Sequence, residues 1–211
     1  MDHKFQKLST LDFKKVDIGL QKTELIAAYS QLKFNGGFVL ATIESSNNPE
    51  RFKDYMKSLY TSSNECDKKV SMRSVAENVK DFIYHLLGNE SLAALDIYLG
   101  DGEEFLIIDS PYDSLDEFRK LAFAELTKAQ LEKRLFQKII SGSIYDDWKV
   151  SEEQTLNMMR DFINQLFPKD DDFRFFSFQQ WGNFMIGLFE GFIFLNIDKG
   201  QLTFFAIDDY D

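Results

Sequence analysis

A chain of 211 residues with 22 phenylalanines but only two histidines and one cysteine is rich in side chains that fill cores and contact surfaces, and poor in those that move protons or ligate metals. Its formal charge of −11 is regional: residues 1–90 hold 13 Lys/Arg and 12 Asp/Glu, whereas residues 91–211 hold 11 and 23, a net −12. A field of that sign disfavours nucleic acid and anionic membranes as partners, and the lone Cys66 excludes both an intrachain disulfide and a cysteine-based zinc site, which fits a reducing cytosol.

Residues 1–15 alternate charges with single apolar residues and build no signal-peptide core, so export by the general route is not expected. Apolar spacing predicts short helices over 26–32 and 52–59, with Asn35-Gly36-Gly37 turning into a compact apolar strand over 37–43. Val75, Val79, Phe82, Ile83 and Leu86 share one face of a helix that Gly88 ends. Leu95, Ile97 and Leu99 alternate with Asp96 and Tyr98, turn through Gly100-Asp101-Gly102 and continue over 105–108, which predicts a hairpin.

Residues 114–140 read as one long helix or a pair, capped by Asp113 or Ser114, with Phe118, Leu121 and Ala122 and then Leu131, Leu135 and Ile139 on successive turns. No linker composition appears, so 1–211 is expected to be a single domain, with 141–150 as the place where it would divide. Ser151 followed by Glu152 and Glu153 opens a helix whose apolar stripe is Leu156, Met159, Ile163 and Leu166. A second hairpin runs over 192–197, turns at Asp198-Lys199-Gly200, and returns over 202–207. The hairpins close alike, on Ile108-Asp109 and Ile207-Asp208, as a duplicated helix-plus-hairpin unit would.

The window 181–195 is the most apolar, but it contains Asn183 and Glu190 and falls short of the roughly 20 residues that span a bilayer, so it reads as buried structure. Strands apolar on both faces belong inside a sheet with at least one face under helices. The expected class is α+β: helices packed on an antiparallel sheet with two late hairpins.

Carboxylates are the abundant reactive class: Asp96, Asp101, Glu103 and Glu104 on the first hairpin, Asp170, Asp171 and Asp172 before the aromatic tract, and Asp208, Asp209 and Asp211 at the end. Paired carboxylates serve glycosidases and magnesium or calcium sites, yet neither Asp170–Asp172 nor the hairpin has the spacing of an EF-hand loop, and each cluster reads first as a solvated turn or exposed edge charge. His85 beside an apolar stripe reads as a packed or surface residue, and His3 lies near the terminus. No P-loop, dinucleotide-binding or nucleophile-elbow glycine motif occurs. Phe173, Phe175, Phe176, Phe178, Trp181 and Phe184 read by default as core, with an exposed binding platform as the alternative. Acidic Asp170–Asp172 followed by aromatics read in period-two spacing, Phe173, Phe175 and then Phe178, would set a charged rim next to interface anchors.

Asn35-Gly36-Gly37 after a short helix, and a C-terminal strand pair ending in Ile207-Asp208-Asp209, resemble the immunity proteins that bacteria pair with polymorphic toxins. The resemblance implies a small α+β protein without enzymatic activity that binds a cognate toxin and blocks its active site. It assigns no binding residue.

The reading expected is therefore a non-enzymatic, cytoplasmic binding protein, without catalytic residue, metal or cofactor, that inhibits a basic protein such as a toxin. Its candidate contact residues are Asp96, Asp101, Glu103, Glu104, Asp170, Asp171, Asp172, Phe173, Phe175 and Trp181. Two other readings stand beside it. One is a carboxylate-dependent hydrolase, glycosidase-like or magnesium-dependent, using a pair from Asp96, Asp101, Glu104 and Asp109; the other is a structural or accessory protein that self-associates through its aromatics.

Overall fold

Neighbouring phenylalanines in an extended chain point to opposite sides, so pairs such as Phe204-Phe205 demand a sheet with apolar cover on both faces. The computed structural model describes residues 5–34, 37–60, 72–95, 114–120, 122–143, 145–167, 172–179 and 190–208. Its strands are β1 (Phe13–Lys15), β2 (Gly37–Ser45), β3 (Ala122–Leu126), β4 (Phe173–Gln179), β5 (Glu190–Asn196) and β6 (Gln201–Asp208). They form one sheet in the order β1-β2-β6-β5-β4-β3, and every neighbouring pair is antiparallel. The helices are α1 (Glu24–Tyr29), α2 (Pro49–Ser58), α3 (Met72–Leu87), α4 (Glu90–Ala93), α5 (Leu115–Phe118), α6 (Lys128–Ile140) and α7 (Glu152–Leu166). The fold is α+β, as expected.

Two apolar layers sandwich the sheet. In the first, Val39, Ile43, Ile193, Leu195 and Phe204 meet Phe52 and Met56 of α2 and Val79, Phe82 and Leu86 of α3. In the second, Leu40, Phe192, Phe194 and Phe205 meet Leu25 and Tyr29 of α1, Leu131 and Leu135 of α6, and Phe162 and Ile163 of α7. The strand expected over 37–43 and the second hairpin are both present, and β5 lies inside the sheet. Gly37 pairs with Asp208 and Phe38 with Ile207, so the end of the Asn-Gly-Gly segment and the final Ile-Asp pair meet across two strands.

Three expectations are corrected. Residues 114–140 are not continuous helix: α5 is a single turn capped by Ser114, β3 follows, and α6 starts afresh. Thr127 accepts the Gln130 amide while the Gln130 side chain accepts the Thr127 amide, a capping box that starts a new helix, and pairing with β4 overrides the helix-favouring Ala and Glu of β3. The stripe of α7 is Thr155, Met159, Phe162, Ile163 and Leu166, while Leu156 is exposed. Thr155 is admitted to the core because its hydroxyl donates to Ser151 O and accepts from Trp148 Nε1 at 2.7 Å. Leu95 does not open a strand; its amide donates to Leu92 O and closes the turn after α4. The remainder of the first hairpin lies outside the described residues.

Residues 141–150 link α6 to α7, with Ser143 N donating to Asp146 O and the Asp146 carboxylate accepting from Lys33 N at 2.9 Å. At the far end of the first layer, buried Asn89 caps α4 through Leu92 N, and its Nδ2 donates to Leu8 O and Leu11 O, each at 2.9 Å. Asn89→Ala takes the side-chain donor from Leu11 O, leaves Leu8 O with the Leu11 amide alone, and removes the cap. It is expected to cost about 2 kcal/mol, read from the urea midpoint at unchanged slope. Among the described residues no helix is long and apolar enough to cross a membrane.

Candidate functional site

Of the ten contact candidates, Asp172, Phe173 and Phe175 lie among the described residues; Asp96, Asp101, Glu103, Glu104, Asp170, Asp171 and Trp181 lie outside them, as do Cys66 and Asp109. Asp172 leads into β4. Its amide donates to Asp198 Oδ2 at 2.6 Å and its carbonyl accepts from Ile197 N, which locks the strand entry against the β5–β6 turn. Its carboxylate lies 3.1 Å from Arg174 Nη1, so part of its charge is answered within the chain.

Arg174 joins Asp172 to a second carboxylate. Its guanidinium carbon lies 5.0 Å from the centre of the Tyr60 ring, and the Tyr60 hydroxyl donates to Glu125 Oε1 at 3.3 Å. Burial first, and then the Glu125 carboxylate, push the Tyr60 phenol well above its usual range. The phenol therefore stays protonated as a donor, and the group fastens the end of α2 to β3 and β4 with little capacity for proton abstraction.

The aromatic tract divides between the faces of the sheet. Phe173 and Phe175 are half-buried on the second layer, each 4.6 Å from the Phe167 ring in edge-on contact. Phe176 and Phe178 are fully buried in the first layer, where Phe178 stacks on Phe123. The row Phe173, Phe175, Phe178 is thus corrected: an odd step in a strand changes face, so only the first two can join one surface.

A groove of about 410 Å³ lies between α1 and α7. Gln154, Asn157, Met158 and Asp161 recur on one side of α7 at i, i+3, i+4 and i+7, and Glu24 of α1 and Val150 complete the lining. Glu24, Gln154, Asn157 and Asp161 are exposed, whereas Met158 and Val150 are half-buried. The outer side of α7 adds exposed Glu152 and Glu153, with Arg160 as the basic residue of the helix. A smaller cavity, about 140 Å³ and lined by residues 15–18, 20–21 and 40–42, lies beside β1 and β2. Its carboxylate, Asp17, is already engaged by the Gly19 amide and by Lys22 at 3.0 Å, which together hold its carboxyl below the usual range.

His85 is half-buried next to the Tyr84 ring, and burial, against the opposing pull of Asp81, lowers its pKa. Asp81 itself is held by two guanidinium nitrogens of Arg119, at 2.6 and 2.7 Å, which ties α3 to the end of α5. Among the described residues no group of three or more His, Cys, Asp or Glu side chains is placed to hold a metal ion. No family model, curated protein or solved structure matches the chain.

Sequence reasoning missed Glu24 and Asp161. The polar recurrence along α7 is legible in the sequence, but its meeting with the first residue of α1 comes only from the packing of the second layer.

Proposed function

We propose that the protein is a non-enzymatic binding protein that acts in the cytoplasm and presents acidic and aromatic residues to a basic protein partner, as an immunity-type inhibitor does when it covers the active site of a toxin. The observation that carries this reading is the net −12 placed after residue 90, to which α7 contributes exposed Glu152, Glu153 and Asp161. Half-buried Phe173 and Phe175 beside Phe167 add an amphipathic surface of the kind that anchors interfaces. Long-range attraction between this field and a basic surface accelerates association and weakens with salt.

The test is capture from native lysate on the immobilised protein, elution with rising salt, and identification by mass spectrometry. The expected result is one stoichiometric basic protein whose retention falls as salt rises. An empty column, or a retained protein indifferent to salt, counts against the proposal.

A further inference from the structure

We propose that the groove between α1 and α7 receives an arginine side chain of the basic partner; the inference rests on the binding reading above and names the chemistry of one of its contacts. The lining combines two carboxylates, Glu24 and Asp161, with two amides, Gln154 and Asn157, and the apolar Met158 and Val150. Both amide oxygens are already engaged, Gln154 Oε1 by the Ser151 hydroxyl at 3.1 Å and Asn157 Oδ1 by Arg160 Nη1 at 3.4 Å. Arg160 keeps its charge beside the groove, since Asn157 is neutral, whereas neither Glu24 nor Asp161 has a side-chain hydrogen bond or ion pair among the described residues.

Two carboxylates lining one groove set up a local negative potential that the single Arg160 beside it only partly offsets, and the adjoining apolar surface selects what answers it. A metal site would gather more carboxylates than these two, and no group of three or more metal-binding side chains occurs among the described residues. An apolar ligand would strip water from both carboxylates and return nothing. An arginine meets both demands: its stem lies along Met158 and Val150, and its planar fork of donors reaches carboxylates on both helices.

The ¹⁵N-labelled full chain is titrated with Gly-Arg-Gly amide and, in parallel, with Gly-norleucine-Gly amide, which keeps the stem and lacks the charge. Saturable shifts are expected at the amides of Glu24, Gln154, Met158 and Asp161, with half-saturation at roughly millimolar peptide. Binding should be about tenfold weaker for the norleucine peptide and for the E24Q/D161N variant, whose remaining spectrum should match the parent. Absence of saturable shifts at these positions, equal response to norleucine, or undiminished binding by E24Q/D161N overturns the inference. The tripeptide needs no cellular partner, so a positive titration beside an empty lysate column sinks only the partner reading. A basic protein captured equally well by E24Q/D161N sinks only the groove.

Discussion

Gly191→Ala is expected to lower the unfolding free energy by about 3 kcal/mol, a large share of a typical domain's stability, although the change adds a single methyl group. Gly191 lies directly across from Phe178 in the β4–β5 ladder, and a Cβ built there overlaps the Phe178 ring. The ring cannot simply swing away: it is buried, and it stacks on Phe123 at 5.7 Å between ring centres. Either β4 and β5 separate or Phe178 vacates its site and leaves a void, and both routes cost packing energy. The measurement is a double-mutant cycle in urea with G191A, F178L and the combined variant. Most of the cost of G191A should disappear when Phe178 is shortened, giving a coupling energy above about 1 kcal/mol. Strictly additive costs would show that the ring is not what holds position 191 to glycine.

The β5–β6 hairpin was legible because its determinants are local: alternating apolar residues flank a turn in which Gly200 takes φ 65°, a left-handed conformation that other residues adopt only under strain. The faces of α3 and the start of α7 were legible for the same reason, through helical spacing and the Ser151 cap. Residues 122–126 were not, since Ala, Glu and Leu favour helix and only pairing with β4, some fifty residues later in the chain, makes them a strand. The displacement of the α7 stripe from Leu156 to Thr155 has a related cause. A threonine belongs in the core only once its hydroxyl is satisfied, and half of that satisfaction comes from Trp148, in the preceding connection. Of the candidate site, the sequence showed which residue types and which sign of charge to expect. The Asp172–Arg174 pair is local, two positions apart on one face of the chain entering β4, but that Glu24 reaches Asp161's side of α7 follows from tertiary packing alone.

Phe205→Ala should produce the largest loss, about 3–5 kcal/mol, because its fully buried ring is where three elements of the second layer converge. The ring centre lies 6.2 Å from those of Tyr29 in α1 and Phe162 in α7, and 6.3 Å from that of Phe192 in β5. Phe204→Ala should cost a similar amount through the opposite layer, since the adjacent ring is equally buried against α2 and α3. Leu156→Ala, at an exposed position, should stay within about 0.5 kcal/mol. The two large losses also bear on cooperativity. Strand β6 contributes side chains to both layers, so removing either ring should shift one common transition. Trp148, 6.1 Å from Tyr29, reports on the second layer by fluorescence in a Trp181→Phe background, while far-ultraviolet circular dichroism reports on all the helices and strands. Coincident midpoints in both single variants are expected. A fluorescence transition that precedes the loss of dichroism only in Phe205→Ala would show instead that α1, α6 and α7 detach from the sheet as a separate unit, with the second layer the weaker of the two.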